Sequence, residues 1–263
     1  MKIDLAIIGG TGYYHPQLVD DAREITVDTK YGKARLIAGN YGQKTVAFMP
    51  RHGEKHQLAP HKINYRANIT ALKELDTQRV VSTTAVGSLK ESIPPGTLVI
   101  IDQFIDLTKN REHTFFDGED EQVYHTDFTE PYCAQLRNLL DNLLHKKSVS
   151  YVNGGTYICT EGPRYETPAE IKAYSMWGAD VVGMTNVPEV TLARELGLCY
   201  ATLSLVTNLA AGVSSHPLTH KEVVDMVNEK LGVIREIFIE LLESLPLERD
   251  CSCWGKEDIT LGG

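Results

Sequence analysis

A chain of 263 residues, 42% of them hydrophobic, is long enough to bury a large core. Its net charge of -9 speaks against the basic face that a nucleic-acid binder presents, and no run approaches the ~20 apolar residues that a membrane helix needs. The start, Met1-Lys2-Ile3-Asp4-Leu5, carries an acid inside its first apolar run and reads as a first strand and not as a leader, so a cytoplasmic protein is expected.

Ile3 to Ile8 is a short apolar run ended by Gly9-Gly10-Thr11-Gly12, the pattern of a buried strand entering a tight turn. Such a turn lets backbone N–H groups close around an anion, with the Thr11 hydroxyl as a further donor. His15 stands where a dinucleotide fingerprint needs a small residue, so that fingerprint is absent. Thr45 to Phe48 predicts a second strand that delivers Arg51, whose planar fork matches phosphate, and His52, a further donor when protonated. His52, His56 and His61 lack the HExxH spacing and Glu54 is misplaced as their base, so no metal site is expected. Ile63 to Leu75 has the spacing of an amphipathic helix and leads into a strand, Arg79 to Thr84, that ends in Ala85-Val86-Gly87-Ser88. Open α/β sheets bind ligands beyond the carboxyl ends of their strands, so Thr11, Arg51 and Thr84 point to one crevice.

Leu98 to Asp102 predicts another strand. The polar segment from Thr108 to Thr129, with Arg111, His113 and His125, fits a long functional loop or a subunit contact. Pro131 to His145 carries a leucine stripe at helical spacing, and Tyr151 to Thr160 returns as strand. It runs into Thr160-Glu161-Gly162-Pro163-Arg164-Tyr165-Glu166, after which Thr167 can cap a helix with Pro168 in its first turn and Glu170 completing a capping box. Asp180 to Gly183 is a short strand whose end carries Met184 and Thr185, and Pro188 to Leu196 a helix. Leu198 to Val206 is the most continuous strand signal and stops at Thr207-Asn208, and Thr219 to Ser244 is a long helix with an apolar stripe. Strands alternating with helices read as a single α/β domain over 1–263, with 245–263 as a peripheral tail. The five cysteines, Cys133, Cys159, Cys199, Cys251 and Cys253, are scattered; free thiols are the default, and Cys251-Ser252-Cys253 has too few companions for a zinc ribbon.

Glu161-Gly-Pro-Arg164 followed by Glu166-Thr-Pro-Ala-Glu170, and Gly183-Met-Thr-Asn-Val-Pro-Glu189, resemble the trimeric purine nucleoside phosphorylase and methylthioadenosine phosphorylase family. Pro50-Arg-His-Gly53, Pro60-His-Lys-Ile-Asn-Tyr65, Thr83-Thr-Ala-Val-Gly-Ser88 and Asp102-Gln-Phe-Ile-Asp106 follow in the same order. The resemblance implies a central mixed twisted β-sheet flanked by helices. It also implies that Thr11, Arg51, His52, Thr84, the backbone of Ala85, and Thr185 hold phosphate. Met184 would pack on the ribose, His220 would take its 5′-hydroxyl, and His125 is a candidate contact to a neighbouring subunit's 5′ pocket.

Glu166 and Asn208 would hold the base, and with His52 they are the catalytic candidates. An ionised carboxylate only accepts, so Glu166 suits the N1–H of hypoxanthine or guanine and opposes the N1 lone pair of adenine. Asn208 can donate to O6 or N7 and so stabilise the departing purine. The methylthioadenosine branch carries a small hydroxyl residue in place of Glu166, an aspartate in place of Asn208 and an apolar residue in place of His220. The amino-terminal half here resembles that branch, so the scaffold of one branch carries the base site of the other. The expected activity is phosphorolysis of inosine and guanosine to free base and ribose 1-phosphate, with phosphate as co-substrate and no metal or organic cofactor. The alternative is a methylthioinosine or methylthioadenosine phosphorylase; rivals of other classes are a hydrolase using the histidines and a nucleoside-binding protein without turnover. A homotrimer or homohexamer is implied, and a structural bridge among Cys133, Cys199, Cys251 and Cys253 stays open.

Overall fold

A computed structural model describes residues 1–10, 18–118, 123–214, 219–246 and 248–254. Four parallel strands form its centre: β1 (Leu5–Gly9), β4 (Lys44–Pro50), β5 (Arg79–Ser88) and β11 (Cys199–Leu209). β1 lies between β4 and β5, with Ile7 beside both Phe48 and Val81, and β5 lies between β1 and β11. These strands are buried along nearly their whole length, without alternation, because helices cover both faces. Successive side chains point to opposite sides, so Ala6 and Ile8 enter one core while Leu5 and Ile7 enter the other. The first core is completed by α1 (Tyr65–Glu74) and α4 (Asn186–Glu195), the second by α2 (Ala134–Lys147) and α5 (His220–Ser244). None of the described helices is long and apolar enough to cross a membrane.

β5 is the strand at which the sheet divides. On one side it pairs with β11 along its length, from Arg79 opposite Cys199 to Ser88 opposite Leu209. On the other side Val80–Ser82 pair with β1, whereas Gly87 and Ser88 pair with antiparallel β10 (Val181–Gly183). Between Ser82 and Gly87 that edge is left open, and opposite it a register shift between Val206 and Asn208 bulges β11. A bulge re-aims side chains, and here it lies at Thr207 and Asn208.

Several predicted boundaries change. The Leu98 to Asp102 run becomes β6 (Leu98–Ile100), and a separate strand, β7 (Gln103–Asp106), follows. The Tyr151 to Thr160 run divides into β8 (Tyr151–Asn153) and β9 (Thr156–Cys159). Gly154 breaks it at φ 91, and Gly155 N–H donates to Asp102 Oδ1 at 3.0 Å. The hairpin β2 (Asp20–Thr29) with β3 (Gly32–Tyr41) was not predicted at all. β2 is mostly exposed and half-buries only Ile25 and Val27 against the core, too short an alternation to stand out in sequence, and pairing with β3 defines it. The predicted capping box is present: Thr167 Oγ1 accepts from Glu170 N–H, and Glu170 accepts from Thr167 N–H, at the start of α3 (Pro168–Met176).

Candidate active site

The strand ends around the open edge of β5 enclose a cavity of about 320 Å³. Gly10 follows β1, Arg51 and His52 follow β4, Thr84 to Gly87 come from β5, Met184 and Thr185 follow β10, and Thr207 and Asn208 lie on the bulge of β11. Pro163, Tyr165 and Glu166 close it from the loop before α3, His220 and Val223 from the first turn of α5, and residues 56–60 from the loop after β4. The structure thus brings together Arg51, His52, Thr84, Ala85, Glu166, Met184, Thr185, Asn208 and His220. Thr11, and Pro217-Leu218 before His220, lie outside the described residues. His125 is exposed and is not part of the cavity wall.

Arg51 corrects one expectation. Its fork does not face the cavity as a free pair of donors: Nε and Nη2 donate to Glu189 Oε2 and Oε1 at 2.6 and 2.8 Å. Nη2 also donates to Ser82 Oγ at 2.6 Å and Nη1 to Thr83 O at 3.0 Å. Counting donors, one Nη1 hydrogen remains for a ligand. Arg51 and Glu189 are each only 1% exposed, and Tyr200 O–H donates to Glu189 Oε1 at 2.7 Å. Burial opposes the charge on Arg51, but Glu189 outweighs it and holds the guanidinium above its ordinary value. The site therefore meets an anion with one aimed donor and a neutralised positive charge.

His52 corrects another. Burial pushes its imidazole down to about 4, with Arg51 and His56 adding to the effect and a bond to Leu58 opposing it. Nδ1 lies 2.8 Å from Leu58 O, an atom that only accepts, so the ring proton sits on Nδ1. Nε2 is then an acceptor, suited to a phosphate O–H and not to a phosphate oxygen. The His56 ring stacks on it at 4.3 Å between centroids, and burial followed by His220 and Arg51 lowers His56 as well.

The opposite wall suits a base. Glu166 is 9% exposed, and burial raises its carboxyl above the ordinary value while Thr160 O–H donates to Oε1 at 2.7 Å and partly offsets this. Asn208 has a defined amide orientation, since Oδ1 accepts from Thr207 O–H at 2.9 Å and Nδ2 donates to Leu209 O at 3.0 Å. One Nδ2 hydrogen is left over. Thr185 is the N-cap of α4 but makes no capping bond, and Thr84 Oγ1 shares a 2.7 Å bond with Ser204 Oγ.

Two residues that support the site carried no role in the sequence. Glu189 stood only inside a quoted motif; an acid flanked by Val187-Pro188 and Val190 in an apolar setting was the available signal. Arg111, expected in a long functional loop or a subunit contact, has a side chain 1% exposed. Its Nη1 donates to Met184 O and Val187 O at 2.8 and 2.7 Å, and Nη2 to Glu161 O at 2.8 Å and Thr160 O at 3.2 Å. It ties the loop before Glu166 to the backbone that carries Met184.

Among the described residues one group has the geometry to hold a metal, and it is not the histidines. Cys133, Cys199, Cys251 and Cys253 bring their sulfurs within 4.8 Å of one another, away from the cavity. The companions that Cys251-Ser252-Cys253 lacked in sequence come from the start of α2 and the start of β11.

The sequence model of the phosphorylase superfamily matches residues 4–243. The chain is 55% identical over 249 residues to a probable 6-oxopurine nucleoside phosphorylase of Dictyoglomus turgidum, covering 95% of this chain and 94% of that one. It is 48% identical over 254 residues to the 6-oxopurine nucleoside phosphorylase of Pyrococcus furiosus, covering 95% and 96%. A methylthioadenosine phosphorylase from Schistosoma mansoni, solved in complex with adenine, superimposes with a TM-score of 0.89 at 32% identity, covering 94% of this chain and 93% of that one.

Two outcomes are expected from this geometry. In a chemical-shift titration of labelled histidine, His52 stays neutral until pH approaches about 4, against 6.5 in the unfolded chain. Because the unfolded chain alone binds that proton between these values, the stability contributed by His52 is complete above pH 6.5 and declines as pH falls toward 4. A midpoint near 6.5 in the native protein would refute the assignment. Glu189→Gln leaves Arg51 buried without its counter-charge and lowers unfolding free energy by about 3–5 kcal/mol in urea titration; an unchanged midpoint would mean that the pair does not hold the site.

Proposed function

Because the chain belongs to the phosphorylase superfamily, we propose that it cleaves the 6-oxopurine nucleosides inosine and guanosine with inorganic phosphate, giving free base and ribose 1-phosphate. The observation that carries this is the pairing of a buried carboxylate, Glu166, with the oriented amide of Asn208 across one cavity from Arg51 and His52. Names of relatives at 48–55% identity point the same way.

Phosphate sits among Arg51 Nη1, His52 Nε2, the hydroxyls of Thr84 and Thr185, the Ala85 backbone and Thr11. One phosphate oxygen forms a bond to the anomeric carbon as the bond from that carbon to the purine nitrogen breaks, and the electron pair leaves with the base. Glu166 accepts the purine N1–H, and Asn208 donates to O6 or N7, where the leaving charge gathers. Met184 lies against the ribose and His220 takes its 5′-hydroxyl. Holding phosphate in line with the sugar converts an encounter into a positioned reaction, which supplies much of the acceleration. The reaction needs phosphate as co-substrate and no organic cofactor or catalytic metal. The working form is a cytoplasmic homotrimer or homohexamer in which His125 of one subunit reaches a neighbour's 5′ pocket.

A 5′-methylthio nucleoside is the second reading, favoured by apolar Leu58 and Val223 in the same wall and opposed by His220. Phosphate-dependent base release from inosine, guanosine, methylthioinosine and methylthioadenosine, run side by side, decides. Higher kcat/KM for the first two is expected; preference for methylthioinosine would remove His220 from its role, and preference for methylthioadenosine would overturn the base site. Glu166→Gln, which keeps the shape and removes the charge, should lower kcat/KM for inosine ~10–100-fold while leaving the KM for phosphate unchanged.

A further inference from the structure

The thiol group lies where α2, β11 and the tail meet, and three separate segments build it. Cys133 is the N-cap of α2, Cys199 opens β11, and Cys251 and Cys253 belong to the segment after α5. Cys133 and Cys199 are buried and the tail pair is half-buried. All four sulfurs lie within 4.8 Å of one another, with Cys199 and Cys251 at 3.3 Å. A tetrahedral zinc with bonds of about 2.3 Å separates its sulfurs by about 3.8 Å, so small side-chain rotations meet that figure.

The surroundings carry positive charge that two neutral disulfides would not use. Arg79 is 1% exposed, and its Nη2 donates to Glu248 O at 2.8 Å on the same tail. Its Nε is buried without a hydrogen-bond partner. Cys133 stands at the positive end of a 14-residue helix, a second feature that favours thiolate. A tetrathiolate centre with a divalent ion keeps a net negative charge, which a buried guanidinium and a helix N-terminus both stabilise.

We infer that Cys133, Cys199, Cys251 and Cys253 form a structural site for a soft divalent cation such as zinc, which pins the carboxyl-terminal segment to the core. All four positions are taken by protein, so the ion holds structure and does not activate water. Loading displaces the thiol protons, so affinity falls as pH falls.

The test uses the full chain, reduced with a phosphine under anaerobic conditions, loaded with zinc or cobalt and freed of excess metal. Elemental analysis should find one zinc per chain, and cobalt should give the intense visible bands and sulfur charge-transfer absorption of tetrahedral thiolate coordination. Cys251→Ser/Cys253→Ser should retain no zinc, melt at lower temperature than the loaded parent, and keep its kcat for phosphorolysis. The site is overturned if the reduced parent retains no more zinc than the double variant, or if its cobalt form shows only the weak absorption of oxygen coordination. It is equally overturned if intact mass finds two disulfides that re-form in the presence of zinc and exclude it.

Discussion

Arg51 and Glu189 bury opposite charges side by side, and the bond they form runs from the end of β4 to the first turn of α4. Burying either charge without the other would cost several kcal/mol. Ser82 and Tyr200 attach the same pair to β5 and β11, the two strands at whose ends the cavity opens. The position of the cavity wall at Arg51 is thus set by a polar network inside an apolar core. Such a network is unforgiving, because each missing partner leaves another group unsatisfied.

Arg111 does the corresponding work for the wall that carries Glu166 and Met184. Carbonyls of Thr160, Glu161, Met184 and Val187 converge on one buried guanidinium, so the loop that carries Glu166 and the strand end that carries Met184 move as one unit. Glu166 then needs little freedom of its own: Thr160 orients its carboxylate from below, and the capping box of α3 fixes the backbone just beyond it. Two arginines, engaged mainly with backbone carbonyls and a carboxylate, frame the cavity.

The tail shows the same economy of partners. Leu245 is buried in the core, Glu248 O accepts from Arg79, and the two tail sulfurs approach Cys133 and Cys199, so the described part of a segment with no apolar pattern is attached by one apolar residue and by polar and sulfur groups.

Much of this was legible in residue order. The buried strands announced themselves as apolar runs, the α3 start as Thr167 with Glu170, and the crevice as a set of strand ends carrying Thr11, Arg51 and Thr84, of which Arg51 and Thr84 lie among the described residues, because burial and capping are local demands that a sequence must meet position by position. β2 was invisible because an exposed strand owes its form to its partner and not to its own composition. The state of each functional group was likewise beyond reach. Whether Arg51 offers a fork or a single hydrogen, whether His52 donates or accepts, and whether Cys251 and Cys253 have companions depend on Glu189, Leu58, Cys133 and Cys199. These stand far along the chain or across a turn, and only the fold brings them within hydrogen-bonding or ligand distance.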